Sequence, residues 1–140
     1  MTGLAYYCDA SIDTRGRGSG VAVVVRNAAG RILDAASRCL GGMTNNEAEY
    51  EAFILGLQLA LHRADQSPTF LVDSQIVVGQ IAGEFAVRDA KLQPRHERAA
   101  RLLARLPRAT VVFVPRERNR VADALAAEAL TAVLERGGRP

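Results

Sequence analysis

A change of hydrophobic period at Asn45-Asn46 constrains this chain more than any other feature. Before that pair the sequence reads as three strands. Residues 4–8 are a short apolar run of strand formers ending at Asp9, and Gly20-Val21-Ala22-Val23-Val24-Val25-Arg26 is a second strand. The turn signal Asn27-Ala28-Ala29-Gly30 closes it, and residues 31–40 supply a third strand, broken by Gly41-Gly42. After the pair, Tyr50, Phe53, Ile54, Leu57 and Leu61 recur at the spacing of one helix face, which predicts a helix over 46–63. The apolar run at 69–72 suits a buried parallel strand. Helices over 74–82 and 93–106, a strand over 109–114 and a last helix over 119–135 complete the pattern. Short links make the first three strands an antiparallel meander, and right-handed crossovers set strands four and five parallel to strand one. The expected fold is α/β, a five-stranded mixed sheet flanked by helices.

A chain of 140 residues fits one domain, expected over 1–135, with 136–140 as a loose tail. No stretch approaches the roughly 18 apolar residues of a membrane span, and the first residues lack a basic leader and cleavage site, so the expected location is cytoplasmic. Net charge is +3, and the acids set aside below leave the remaining surface more basic than this total. Such a balance suits a polyanionic partner. Seventeen of the eighteen basic residues are arginine, which coding bias explains without a functional cause. Cys8 and Cys39 fall on strands not expected to be neighbours, so both are read as reduced core residues.

Four carboxylates lie at or beside the edges of these elements: Asp9, Glu49, Asp73 and Asp123. Each has a bland alternative. Asp9 fits a turn, Asp73 fits a cap for the helix after it, and Asp123 sits in a first helical turn, where the helix dipole favours negative charge. Glu47 competes with Glu49, but Thr44-x-x-Glu47 forms a capping box that accounts for Glu47. Glu51 is read as a solvated helix residue, and Asn119 as the last helix's N-cap. Four acids converging at strand ends would repel one another unless cations neutralised them, and hard oxygen ligands suit Mg²⁺ or Mn²⁺ acting on phosphate esters.

The segments Tyr7-Cys8-Asp9-Ala10-Ser11, Thr44-Asn45-Asn46-Glu47-Ala48-Glu49, Asp73-Ser74-Gln75 and Asn119-x-x-x-Asp123-x-Leu125-Ala126 occur in an order that closely resembles type 1 ribonuclease H. The resemblance spans about 4–130. It implies the strand order 3-2-1-4-5 and an endonuclease that cuts the RNA strand of RNA–DNA hybrids. Asp9, Glu49, Asp73 and Asp123 would hold two ions roughly 3.5–4 Å apart, one generating the attacking hydroxide and the other stabilising the leaving 3′-oxygen. The implied products carry 5′-phosphate and 3′-hydroxyl ends. Asn45 and Asn46 match residues that contact bases and sugars in the minor groove, and Thr44 one that helps hold a DNA phosphate. Ala10, through its backbone N–H, Ser11, Gln75 and Asn119 complete the implied substrate contacts. The expected partner is a hybrid, bound by a monomer with no membrane association. The rival expectation is a hybrid-binding module of the same fold that does not cut, although four retained carboxylates would not help a binder of polyanions.

The sequence departs from the family at several points. Ala10 replaces the usual Gly after the first Asp. The loop Val114-Pro115-Arg116-Glu117-Arg118 lacks the histidine found in many members, which leaves Arg116 or Arg118 to meet the scissile phosphate. His62 and His96 are read as structural. The basic handle that some members use to grip DNA is missing from residues 83–94, and Arg98, Arg101 and Arg105 are candidates to replace part of it.

Overall fold

A computed structural model describes residues 3–137. In chain order it contains β1 (Ala5–Ile12), β2 (Ser19–Arg26), β3 (Ile32–Leu40), α1 (Asn45–His62), β4 (Thr69–Val72), α2 (Gln75–Ile81), α3 (Gln93–Ala104), β5 (Thr110–Phe113) and α4 (Arg120–Glu135). A 3₁₀ turn, Arg116–Arg118, precedes α4. The sheet order is β3-β2-β1-β4-β5, with β1–β2 and β2–β3 antiparallel and β1–β4 and β4–β5 parallel. Arg136 closes α4, with its N–H bonded to the Val133 carbonyl. The rest of the expected tail, 138–140, lies outside the described residues. No helix among the described residues is long and apolar enough to cross a membrane.

β2 is buried on both faces, which explains its uninterrupted apolar run. Val21, Val23 and Val25 join the core under α1, whereas Ala22 and Val24 are buried outside that cluster. Gly20 sets the seat of α4, because a Cβ there would overlap the Ala126 carbonyl oxygen. Tyr6, Phe53 and Phe70 pack together across β1, α1 and β4, with ring centroids 5.2 Å apart for the tilted pair Tyr6–Phe70 and 5.5 Å for the edge-to-face pair Phe53–Phe70. Such aromatic pairs bury large areas and fix rotamers at the centre of the core. α1 is buried beyond its predicted face: Ala48, Ala52, Leu55 and Ala60 are covered too. The sheet lies against one side of this helix and α3 against another.

The structure corrects several expectations. β1 does not end at Asp9 but continues to Ile12, because β2 pairs with it through Ile12↔Ser19 after β4 has stopped. That ladder outweighs the poor strand propensity of Asp. α3 stops at Ala104, and Leu106 turns inward to a buried position. Cys39 is only half-buried, on a sheet-edge strand, with its Sγ 3.3 Å from the Ala129 carbonyl oxygen. It is therefore no core residue, although β2 does separate it from Cys8. Glu51 is not simply solvated: it accepts from Arg95 Nε at 2.8 Å. Residues 82–92 contain no helix, in keeping with the expectation that the basic handle is missing there.

Candidate active site

The parallel register Cys8↔Val72 creates the site. Asp9 follows Cys8 within β1 and Asp73 follows Val72 just past the end of β4, so the two aspartates stand side by side where the parallel pairing stops, the edge at which open α/β sheets collect ligands. Glu49 reaches them from the second turn of α1. Oxygen atoms of Asp9, Glu49 and Asp73 all lie within 4.8 Å of one another. Asp123, from the first turn of α4, lies outside this trio but lines the same cleft of about 500 Å³.

Local structure assigns each neighbour its task. Thr44 caps α1: its hydroxyl accepts from the Glu47 N–H at 3.3 Å, and Glu47 Oε1 accepts from the Thr44 N–H at 3.0 Å. Glu47 also pairs with Arg95 at 2.8 Å, so it is occupied while Glu49 points to the cluster. Ser74, not Asp73, caps α2, accepting from the Val77 N–H at 3.2 Å. Asp73 is thereby free of the capping role open to it in the sequence.

Burial is the main cause that pushes Asp9 up to about 8, followed by the negative charge of Asp73; the Ala10 N–H opposes this, and Asp123 adds to it. Burial likewise leads for Glu49, pushed up to about 10, with Asp73 next and Asp9 behind it. Burial also holds the Cys8 thiol high, with Glu49 adding to the effect, so this sulfur is inert. Arg116, 78% exposed, is the basic residue lining the cleft among the described residues, and its guanidinium is 3.7 Å from Asp123. Three oxygen donors packed this closely, without a basic side chain among them, match the needs of a hard divalent cation.

These shifts set a pH dependence. The folded protein keeps protons on Asp9 and Glu49 that the unfolded chain releases near pH 4, so it binds more protons than the unfolded state above that pH. Stability from this source is complete below about pH 4 and is lost as pH rises through about 8 and then about 10. With a chelator present, the melting temperature is expected to fall by about 5 °C or more between pH 6 and pH 9. Millimolar Mg²⁺ or Mn²⁺ should remove that slope by binding the ionised cluster only in the folded state. Differential scanning fluorimetry across pH checks both; a flat metal-free profile would refute the electrostatic reading.

The cleft also contains Ala10, Ser11, Asn45, Asn46 and Arg116 from the expected substrate set. Thr44 stands in an adjoining shallow groove with Met43 and Lys91. Three expectations change. The Ala10 N–H, expected to face RNA, donates to Asp9 Oδ1 at 2.9 Å. Gln75 is exposed but is not among the residues lining the cleft, whereas its neighbours Ser74 and Ile76 are. Asn119 is only 1% exposed, so it is no direct substrate contact. Ile76 was missed because it opens the apolar run Ile76-Val77-Val78, which reads as core, yet it is 41% exposed. His62 is exposed at the end of α1, and His96 Nε2 is 3.2 Å from the Gln80 carbonyl oxygen; neither lines the cleft. Arg98, Arg101 and Arg105 are all exposed on α3.

Residues 7–129 match the family model described as "Reverse transcriptase-like". The chain is 36% identical over 126 residues to ribonuclease HI of Halobacterium salinarum, covering 90% of this chain and 63% of that protein. It is 34% identical over 104 residues to a bifunctional protein of Mycobacterium tuberculosis, covering 74% of this chain. The chain spans only 29% of that protein's length. Among solved structures, the N-terminal RNase H domain of the mycobacterial protein superposes with a TM-score of 0.91 at 29% identity, covering 98% of this chain and 99% of that one. RNase H1 of Halobacterium salinarum gives 0.86 at 31% identity, covering 91% and 96%. LC11-RNase H1, isolated from compost and solved in complex with an RNA/DNA hybrid, gives 0.86 at 30%, covering 94% and 99%.

Proposed function

This chain belongs to the reverse transcriptase-like family, together with the type 1 ribonucleases H, and we propose on that footing that it is a metal-dependent endonuclease hydrolysing the RNA strand of RNA–DNA hybrids. The observation that carries the proposal is the trio of Asp9, Glu49 and Asp73 within 4.8 Å, in a cleft shared with Asp123. Asp9, Glu49, Asp73 and Asp123 would together hold two divalent ions. Bound Mg²⁺ or Mn²⁺ would supply the Lewis acidity that activates water and stabilises the departing 3′-oxygen, leaving 5′-phosphate and 3′-hydroxyl ends. The protein's own contribution is placement. Strand β1, the end of β4 and the N-terminal turns of α1 and α4 fix the carboxylates, and the burial of Asp9 and Glu49 limits water around them. Asn45 and Asn46, at the start of α1, present amides that can both donate to and accept from 2′-hydroxyls and base edges, which favours RNA over DNA in a shallow groove. Arg116, exposed and at the cleft, is placed to meet a phosphate. The protein would act as a monomer in the cytoplasm, without an obligate partner.

Labelled RNA–DNA hybrid, duplex RNA and duplex DNA, incubated with Mg²⁺ or Mn²⁺ and resolved on a gel, test the activity. Cleavage confined to the RNA of the hybrid is expected; tight binding without cleavage would favour the non-cutting module instead. The two glutamates should separate in the same assay. Glu49→Gln is expected to abolish cleavage while the protein stays folded. Glu47→Ala should cost about 0.5–2 kcal/mol of stability through the lost cap and leave turnover largely intact. The reverse pattern would shift the ligand assignment by two residues.

A further inference from the structure

Asn119 occupies the N-cap of α4, where its side chain would normally accept from a backbone N–H of the first turn, yet it makes no such bond. Instead it reaches sideways. Its Nδ2 donates to the Cys8 carbonyl oxygen at 2.8 Å, across a sequence separation of 111 residues, while its Oδ1 is buried without a partner. The fold thus forgoes a side-chain cap on α4 and commits the amide to this one buried long-range bond. Its position explains what the bond achieves. Cys8 directly precedes Asp9 and is the last β1 residue paired with β4. The backbone carbonyl of Asn119 accepts from the Asp123 N–H at 2.9 Å, and the Asn119 N–H donates to the Arg116 carbonyl at 3.0 Å. One residue therefore ties the backbone behind Asp9 to the backbone of Asp123 and to the turn bearing Arg116. Asp123 is the carboxylate outside the tight trio, and its only ion pair among the described residues is the 3.7 Å contact with exposed Arg116.

We infer that Asn119 is a positioning residue that holds Asp123 in register with Asp9, so that the fourth carboxylate completes the cation site. This rests on the hybrid-cleaving reading for its catalytic consequence, but not for its cation-binding consequence.

The test compares Asn119→Ala with Val133→Ala, a buried truncation far along the same helix. Asn119→Ala is expected to lower kcat on hybrid about 10- to 100-fold, with KM within about twofold of wild type, because substrate contacts are untouched. The Mn²⁺ concentration giving half of the metal-induced melting shift, measured without nucleic acid, should rise about tenfold. Val133→Ala should lower the melting temperature yet keep kcat and the Mn²⁺ midpoint of wild type. If Asn119→Ala does not accumulate as folded protein, Asn119→Asp, which keeps the shape but replaces the donating amide, takes its place. An Asn119 variant whose kcat and Mn²⁺ midpoint match those of Val133→Ala overturns the inference. Should wild type bind Mn²⁺ but fail to cut hybrid, the nuclease reading falls, and the Mn²⁺ midpoint alone decides the role of Asn119.

Discussion

Asp73→Asn is expected to lower hybrid cleavage by at least about a thousandfold while leaving the protein folded and able to bind hybrid. The substitution keeps the size of the side chain and removes one of three carboxylates packed within 4.8 Å. Asp73 has no capping duty to lose, because Ser74 holds the start of α2. Removing its charge also relieves the repulsion that helps to push Asp9 and Glu49 upward, so the metal-free variant should melt no lower than wild type. Hybrid affinity should hold or rise, since a like charge near the phosphates has gone. It should fall with added salt, as exposed cations such as Arg98, Arg101 and Arg105 release counterions from the backbone. Single-turnover cleavage and equilibrium binding measured on the same preparation decide the matter. A variant that cuts at the wild-type rate would remove Asp73 from the catalytic set.

The second large effect lies at the other end of the sheet. Asp65 is a 4% exposed carboxylate that accepts from the Leu4 N–H at 3.0 Å, the Tyr6 hydroxyl at 2.9 Å and the Ser67 N–H at 3.1 Å. It fastens the start of β1 to the turn leading into β4. Burial and the bond to Asp65 hold the Tyr6 phenol well above its usual range, so this hydroxyl remains a donor. Asp65→Ala strands several of these donors at once and is expected to cost about 3 kcal/mol or more, read as a shift in urea midpoint at constant slope. Tyr6→Phe, which removes one bond and leaves the carboxylate its other donors, should cost nearer 1 kcal/mol. If both variants unfold at the wild-type midpoint, the network contributes nothing to stability. Neither change touches the cleft, so turnover per folded molecule should be preserved in both.

Much of this molecule was legible in one dimension, because the signals concerned are local. The switch from strand to helix period at Asn45-Asn46 depends only on side-chain spacing, and the local pattern placed α1, β2 and β3 to within a residue, while the end of β1 was missed. Thr44 and Glu47 announce a capping box because the two bonds involved span three residues, and both bonds are present. The four acids were recognisable as a set by their order and immediate neighbours, and the fold brings all four to one cleft.

What the sequence could not supply were facts created when distant segments meet. The extension of β1 past Asp9 is decided by β2, whose pairing continues to Ser19 after β4 has ended. The burial of α1 on more than one side is decided by α3 packing across it, which no single-helix periodicity records. Arg95 claims Glu47 and Glu51 from a helix more than forty residues away, so a residue that looked solvated carries an ion pair. Asn119 shows the division most sharply. Its side chain reads as a cap or a substrate contact in sequence, yet in space it is buried and bonded to the strand that carries Asp9. Sequence alone determined which residues could do the chemistry, since residue type and local spacing fix that choice. Only the tertiary structure decided how closely they stand and what holds them there, because burial and long-range hydrogen bonds exist only once the chain has closed on itself.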